Sequence, residues 1–218
     1  MTELKADFGI AHDGDGDRVI FCNSFGEVIP GDKILGLLAV HEQEYKRLLN
    51  NNFVATIHSN SGLDMSLKQQ GIVLHRADVG DRKVAEMMRN KKSNLGGESS
   101  GHLIASDFLP TGDGLLTALL VARASYESGK SIDSLSDKIT LWPSVEGAFR
   151  VNKKIPIQEC ESLSSNLSKA KARLGKDGRV LLRYSGTEPK IRLLVEATQQ
   201  SRAKEEFDCL VKTIEKTL

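Results

Sequence analysis

Apolar and polar positions along the first 130 residues alternate in the way that is typical of a mixed α/β domain. Short apolar runs predict strands at residues 8–11, 19–22, 53–57, 72–75 and 102–104, with a further strand-like segment around Leu95. Helical periodicity predicts helices at residues 32–49, 62–70, 81–90 and 114–126. Asp32, Asp81 and Asp113 stand where helix N-cap residues are expected.

The pattern changes at residues 131–142, where the alternation ends, and Pro143 then predicts a linker. A smaller second unit follows, and its predicted elements are a strand at 145–151, a helix at 157–174, strands at 179–184 and 190–197, and a helix at 202–217. The last two strands are joined by the short sequence SGTEP. We therefore expect them to be neighbours and interpret them as antiparallel.

Composition and charge exclude several classes of protein. The 218 residues include 30 Lys and Arg against 29 Asp and Glu, and the resulting net charge of +1 argues against nucleic-acid and membrane partners, whose binders usually carry a basic excess. No apolar run is long enough to span a membrane, and no signal peptide is evident. Three widely spaced cysteines favour neither a disulfide framework nor a zinc knuckle. We expect a cytoplasmic protein.

The strongest chemical signal is the sequence DGDGDR at residues 13–18. Asp13, Asp15 and Asp17 would repel one another if crowded together, and a hard divalent cation would remove that repulsion. An EF-hand is excluded because Arg18 occupies the position that requires glycine and Ser24 the position that requires glutamate. These three aspartates therefore predict a Mg²⁺ site, and the alternative is a solvated acidic turn.

A glycine-rich loop, GGESSGH, occupies residues 96–102. Its glycines allow close approach of the backbone, and Glu98 and Ser100 carry hydrogen-bonding groups that suit sugar hydroxyls. The spacing matches neither a Walker loop nor a dinucleotide-binding fingerprint. Considered alone, the loop is better explained as a polar surface turn.

A third loop, RYSGTEP at residues 183–189, follows an apolar strand. Arg183, the hydroxyls of Ser185 and Thr187, and the flexible Gly186 form a combination that suits a phosphate dianion. Arg192, two residues into the next predicted strand, is a candidate for the same site. The alternative is an ordinary hairpin turn with incidental polar residues.

The sequence GDRK at residues 80–83 begins a predicted helix and is a weaker candidate. Arg82 would add positive charge at a helix N-terminus, which already favours anions. A simple capping role for Asp81 is the more economical interpretation of this segment alone.

In combination and in this order, the three loops are far more specific than any one of them. The sequence resembles the α-D-phosphohexomutase superfamily: HDGDGDR is similar to its metal loop, GGESSGH to its sugar-recognition loop and RYSGTEPKIR to its phosphate-binding loop. VGDRKV and TGDGLLTALL are also similar to family sequence. Tyr184 departs from the family pattern, which has proline there. Because a proline would fix φ and remove a donor, tyrosine in its place would loosen the loop.

Within the superfamily, the double glycine before Glu98 and the context AHDGDGDR are most similar to the members that interconvert glucosamine 6-phosphate and glucosamine 1-phosphate. These isomerases supply the precursor of UDP-N-acetylglucosamine for cell-wall synthesis. Two alternatives stay open: a mutase acting on mannose or glucose phosphates, and a sugar-phosphate-binding module without catalysis.

The resemblance implies a mixed α/β phosphohexomutase-type domain at residues 29–138, followed by a small TATA-binding-protein-like α+β domain at residues 143–218. It implies that residues 1–28 are a β remnant of a preceding domain and carry the metal loop. The chain corresponds to about the latter half of the family's four domains, and nothing in it matches the family's phosphoserine loop. We therefore expect the N-terminal domains of the same enzyme as its partner, and no mutase activity from this chain alone.

The resemblance also implies a mechanism, in which a phosphoserine donates its phosphoryl group to a hexose (glucosamine) phosphate and receives the other one back from the bisphosphate. Asp13, Asp15 and Asp17 would hold Mg²⁺, and Arg18 would be catalytic by stabilising charge beside the ion. The implied substrate-binding residues are Glu98, Ser100, His102, Arg82, Arg183, Ser185, Gly186, Thr187 and Arg192.

Overall fold

In the computed structural model, residues 3–217 are described, and the chain divides into two units, Met1–Leu141 and Trp142–Leu218. The first unit begins with three short strands, β1 (Gly9–His12), β2 (Val19–Cys22) and β3 (Val28–Ile29). They form an antiparallel sheet in the order β1-β2-β3. On one face of this sheet Phe21 lies opposite Ile29, and both side chains are buried. The loop between β1 and β2 is the DGDGDR sequence.

A second sheet of the first unit has four strands in the order β5-β4-β6-β7. The strands are β4 (Asn52–Thr56), β5 (Val73–Ala77), β6 (Leu95–Gly97) and β7 (Leu103–Ala105). β4 runs parallel to β5 and β6, whereas β7 pairs antiparallel with β6. Parallel strands are normally covered on both faces, which agrees with the fully buried β6 and with β4, where four of the five residues are buried. The GGESSGH sequence forms the turn from β6 to β7.

In the described part of the first unit, the α-helices that accompany these sheets are α1 (Gly31–Glu44), α2 (Ser61–Gln69), α3 (Asp81–Lys91), α4 (Gly114–Ser128) and α5 (Ile132–Ser136). The core is formed by apolar side chains of α1, α4 and the sheets. Leu38 and Ala39 of α1, Phe53 of β4 and Val121 of α4 are fully excluded from solvent.

The helix boundaries correct two of the predicted caps. Asp32 is not an N-cap, because α1 begins at Gly31 after Pro30. The Asp32 carboxylate is buried instead and accepts a hydrogen bond of 2.9 Å from the backbone N–H of Asn60. The N-cap of α3 is Gly80 rather than Asp81. The prediction for Asp113 is confirmed, because its Oδ1 accepts from the Leu116 N–H at 2.7 Å.

Two further differences concern helix length. α1 ends at Glu44 rather than at residue 49, because Lys46 adopts a left-handed φ of 58° and the N–H groups of Arg47 and Leu48 turn back to the Glu42 carbonyl. The interval at residues 131–142 contains the short helix α5. Its Ile132 and Leu135 are buried in the core, although the segment lacks a long helical period.

The second unit has an antiparallel sheet in the order β8-β10-β9, formed by β8 (Ser144–Arg150), β9 (Gly178–Tyr184) and β10 (Lys190–Ala197). The antiparallel pairing expected for the last two strands is thus confirmed. Helices α6 (Glu161–Leu174) and α7 (Gln200–Thr217) bury their apolar sides with Ile191, Leu193 and Val195 of β10. A 3-10 turn at Ile157–Glu159 precedes α6, whereas the sequence predicts one continuous helix from residue 157.

Among the described residues, no helix is both long enough and apolar enough to cross a membrane. The longest, α7, has 18 residues and a polar outer side.

One polar cluster stabilises the packing of α1 against α4. Glu42 of α1 accepts hydrogen bonds from Arg123 at 2.5 Å and from Arg47 at 3.1 Å, and the His41 Nδ1 lies 3.1 Å from its Oε1. The Nη2 of Arg47 also donates a hydrogen bond to Oε2 of Glu127 at 2.6 Å. Burial by itself would raise the pKa of Glu42, but the hydrogen bonds from His41 and Arg123 and the charges of Arg123 and Arg47 lower that pKa to about 2.

We expect Glu42→Gln to reduce the free energy of unfolding at neutral pH by about 1–3 kcal/mol, because it removes a buried, paired carboxylate. The pKa of Glu42 is lower in the fold than its ordinary value of 4.5, so its stabilisation is complete above pH 4.5 and disappears as the pH falls to about 2. Urea melts across this range test the prediction, with the exposed Glu86→Gln as control. A Glu42→Gln deficit that does not change with pH would contradict it.

Candidate functional site

The three aspartates of the DGDGDR loop lie close together at the end of the β1–β2 hairpin. Asp13, Asp15 and Asp17 each present a carboxylate oxygen, and these oxygens all lie within 4.8 Å of one another. Gly16 has a φ of +73°, which only glycine adopts at little cost, and its carbonyl accepts a 2.9 Å hydrogen bond from the Gly114 N–H at the start of α4. The start of α4 therefore fixes the loop.

Arg18 is the positive charge nearest to this cluster. Its Nε lies 3.8 Å from Asp13 Oδ2 and 3.7 Å from Asp17 Oδ1, and its backbone N–H donates to Asp13 Oδ1 at 3.2 Å. Burial and then repulsion by Asp15 and Asp13 raise the pKa of Asp17, while His102 and Arg18 act in the opposite direction. One arginine thus compensates three carboxylates only in part.

These residues fit a divalent cation. Asp17 Oδ1 is buried and accepts no hydrogen bond from any described residue, so it is available as a ligand. Carboxylate oxygens are the ligands that hard cations such as Mg²⁺ prefer, and a cation would remove the repulsion among the three charges. Among the described residues, no other group of three His, Cys, Asp or Glu side chains has metal-binding geometry.

The GGESSGH loop lies directly beside the acidic loop. The Val19 N–H donates to the Gly101 carbonyl at 3.2 Å. Gly101 has a φ of +95°, and a Cβ there would lie 2.3 Å from the Val19 carbonyl oxygen, so a larger residue would force the two loops apart. The sequence does not reveal this dependence, because it arises from packing between segments 80 residues apart in the chain.

His102 is placed beneath the acidic cluster. Its side chain is buried, and its Nε2 lies 3.7 Å from Asp17 Oδ2. Gly112 packs against the imidazole ring, where a Cβ would lie 2.2 Å from Nε2. His102 therefore contacts the predicted metal site, whereas the family resemblance implies only a role in binding substrate.

Glu98 links the GGESSGH loop to the GDRK segment. Its Oε1 accepts a 2.8 Å hydrogen bond from the Gly80 N–H, and its backbone closes the turn through the Gly101 N–H and the His102 carbonyl. Ser100 and Arg82 are exposed. The structure thus brings the predicted residues Glu98 and Ser100 into one turn, and it adds Gly80 as a partner that no sequence signal indicates.

In the second unit, the RYSGTEP sequence forms the turn between β9 and β10. Arg183 lies directly opposite Arg192 in the antiparallel register. Directly opposed like charges are unfavourable in a sheet, and a bound anion would remove that cost. The Nε of Arg183 is buried and has no hydrogen-bond partner among the described residues. This unsatisfied donor fits an anion site.

The turn itself is closed by backbone and side-chain hydrogen bonds. The buried Ser185 donates its N–H to the Lys190 carbonyl at 2.8 Å, and its Oγ accepts from the Glu188 N–H at 3.3 Å. A Cβ on Gly186 would meet no described atom within 4 Å, so the turn is open above this residue. A phosphate could approach the backbone there.

Tyr184 has a structural role. Its hydroxyl donates to the Ile155 carbonyl at 2.7 Å, and its ring packs against the core of the second unit. Burial, together with the nearby Cys160, raises the pKa of Tyr184, although the hydrogen bond to Ile155 acts in the opposite direction. The expected loosening of the loop is therefore countered by an anchor that proline could not supply.

Comparison with known proteins identifies the family. The phosphoglucomutase/phosphomannomutase alpha/beta/alpha domain III matches residues 30–141, and the C-terminal domain of the same family matches residues 146–212. The chain therefore belongs to the phosphoglucomutase/phosphomannomutase family, and the predicted α/β fold of this family is confirmed.

Relatives with similar sequences carry a more specific name. The chain is 42% identical, over its whole length, to a phosphoglucosamine mutase of Nitratidesulfovibrio vulgaris, and 43% identical to a phosphoglucosamine mutase of Kocuria rhizophila. In both cases it covers 48% of the relative. The chain thus spans about half the length of these relatives.

Solved structures show the same fold at low sequence identity. An N-acetylphosphoglucosamine mutase of Aspergillus fumigatus, in complex with GlcNAc-6P and magnesium, matches 94% of this chain and 51% of its own, with a TM-score of 0.78 and 18% identity. A phosphoglucomutase/phosphomannomutase family protein of Burkholderia thailandensis matches 98% of this chain and 48% of its own, with a TM-score of 0.75 and 22% identity.

Proposed function

We propose that this chain is the C-terminal half of a phosphoglucosamine mutase, which would interconvert glucosamine 6-phosphate and glucosamine 1-phosphate. The observation that carries the proposal is the cluster of three aspartates packed against the GGESSGH loop, in a chain 42% identical over its full length to a protein of that name. The product would supply the precursor of UDP-N-acetylglucosamine for cell-wall synthesis.

Asp13, Asp15 and Asp17 would hold Mg²⁺. When bound, the ion would neutralise the negative charge that develops on a transferring phosphoryl group. Arg18, with its guanidinium between Asp13 and Asp17, would orient these carboxylates and add positive charge at the same place. His102, whose Nε2 lies 3.7 Å from Asp17 Oδ2, would help to position that carboxylate. It is therefore better described as a positioning residue.

Glu98 and Ser100 would bind the sugar hydroxyls. The Gly80 N–H donates to Oε1 of Glu98 and so orients the carboxylate. No described residue donates to Oε2, which would accept a hydrogen bond from a sugar hydroxyl. The exposed hydroxyl of Ser100 is a donor and an acceptor in the same turn. Arg82 would add positive charge at the start of α3.

The turn between β9 and β10 would anchor the phosphate that does not react. Arg183 and Arg192 would offer charged donors, while Ser185, Gly186 and Thr187 would supply hydroxyl and backbone donors. When this end of the substrate is bound, the reactive end is held in the orientation that phosphoryl transfer needs.

The partner of this chain would be an N-terminal half like that of its relatives, which are about twice as long. Residues 1–28 would belong to a domain that this half completes, with residues 29–138 and 143–218 as the two domains that follow. The face of the first sheet that carries Ile20 and Val28 supports this, because both apolar side chains are more than half exposed. The phosphoserine implied by the resemblance would lie in that half.

We expect the purified 218-residue chain to show no turnover of glucosamine 6-phosphate, because nothing in it resembles the phosphoserine loop. Phosphorus NMR of an equilibrating sugar phosphate solution measures this directly, with a full-length phosphoglucosamine mutase as positive control. Turnover by the chain alone would refute the proposal that catalysis needs an N-terminal half with the phosphoserine. The same assay with glucose and mannose phosphates, applied to this chain joined to an N-terminal half, would identify a different substrate.

A further inference from the structure

A loop of the second unit lies alongside the β9–β10 turn. The Val151 N–H donates to the Pro189 carbonyl at 3.0 Å, which holds the start of this loop against the turn. Three residues later, the Lys154 ammonium donates to the Ser185 carbonyl at 2.6 Å. Lys154 thus places a positive charge at the residue that begins the turn, although it lies about 30 residues away in sequence and outside the RYSGTEP motif.

Some of the positively charged side chains around this turn pair with a carboxylate, and others do not. Lys190 and Arg192 both pair with Glu188, at 2.5 and 3.3 Å, and Lys190 is the main cause that lowers the pKa of Glu188. Lys154 and Arg183 have no carboxylate within ion-pair distance anywhere in residues 3–217. Lys154 and Arg183 therefore keep their full positive charge for an incoming anion.

Lys154 has N–H donors that remain for a ligand. An ammonium group has three N–H donors and no acceptor, and the Ser185 carbonyl takes one of them. That carbonyl is neutral, so the contact directs the ammonium without cancelling its charge. Above the neighbouring Gly186 the turn is open. An anion bound at this turn would lie within the field of a cation that the backbone already holds in place.

We propose that Lys154 is a further phosphate-binding residue of the β9–β10 turn, acting beside Arg183. The inference rests on the proposed function, in which this turn anchors the phosphate of a hexose phosphate. Lys154 has two effects: it orders the turn through the Ser185 carbonyl before the ligand arrives, and it donates a charged hydrogen bond to a phosphate oxygen afterwards.

The neighbouring Lys153 offers a matched control. It is exposed and forms no hydrogen bond or ion pair with any residue in the described part of the chain. Lys153→Met and Lys154→Met remove the same charge from adjacent positions of one loop, so any difference between them reports the contact and not the net charge. Lys154→Arg keeps the charge and the donors and should retain most of the affinity.

The experiment is an amide NMR titration of the full chain with inorganic phosphate and with glucosamine 6-phosphate. We expect both probes to shift Ser185, Gly186 and Thr187, Lys154→Met to weaken phosphate affinity about tenfold, and Lys153→Met to change it less than twofold. Equal affinities for the two methionine variants would overturn the role of Lys154 while leaving the turn a phosphate site. No shift of the turn in the unaltered chain would overturn the proposed phosphate site itself.

Discussion

Replacing Arg183 with methionine should reduce the affinity of the chain for glucosamine 6-phosphate by about 100-fold. The guanidinium Nε is buried without a hydrogen-bond partner among the described residues, and the side chain lies opposite Arg192. Charged hydrogen bonds contribute about 1.5–3 kcal/mol each, and a guanidinium can form two of them with one phosphate. Calorimetry of sugar phosphate binding measures the loss.

The Arg183→Met variant should fold normally, because removing one of two directly opposed arginines relieves repulsion in the sheet. Lys171→Met, which removes a positive charge from the exposed side of α6, controls for net charge. A folded Arg183→Met variant with unchanged affinity would show that the turn between β9 and β10 is an ordinary hairpin.

Replacing Asp13, Asp15 and Asp17 together with asparagine should abolish divalent cation binding by the chain. Each aspartate contributes one oxygen to a cluster whose members lie within 4.8 Å of one another, and asparagine offers a neutral, weaker ligand. Each single substitution should weaken binding at least tenfold, by about 1.4 kcal/mol or more. Titration with Mn²⁺, followed by electron paramagnetic resonance, measures this affinity directly.

The same variants should melt at a higher temperature than the unaltered chain when no cation is present, because three like charges then no longer repel. Asp208→Asn, on α7 in the other unit, is the control for carboxylate loss. Unchanged Mn²⁺ affinity in the triple variant would contradict the metal site and show that the loop between β1 and β2 is a solvated acidic turn.

Local sequence predicts much of this fold because its elements carry clear periodicity. β2 and β10 have the predicted bounds, since their apolar residues are flanked by glycine or polar turns. The sequence does not predict α5, because five residues are too few for a helical period, although Ser131 provides its N-cap. The sequence predicts a capping role for Asp32, since its hydrogen-bond partner Asn60 lies 28 residues away and no local pattern indicates that contact.

In the candidate site, too, short motifs can be predicted from the sequence, whereas contacts between distant segments cannot. The aspartate cluster, Glu98 and Arg183 lie in short motifs whose residue types indicate their chemistry. The contacts of Gly80 with Glu98 and of Lys154 with Ser185 join segments 18 and 31 residues apart, and no local pattern indicates them. His102 was recognised, but its position beneath Asp17 depends on the packing of two loops. Sequence therefore indicates the candidate groups, whereas the contacts that hold them in place are visible only in the tertiary structure.

We propose that this chain supplies the metal, sugar and phosphate residues of a phosphoglucosamine mutase. The decisive test is a hybrid enzyme in which these 218 residues replace the matching half of the Nitratidesulfovibrio vulgaris relative. We predict turnover of glucosamine 6-phosphate by the hybrid and loss of that turnover with either Asp17→Asn or Arg183→Met. A folded hybrid that binds the sugar phosphate but does not convert it, beside an active parent enzyme, would contradict the claim.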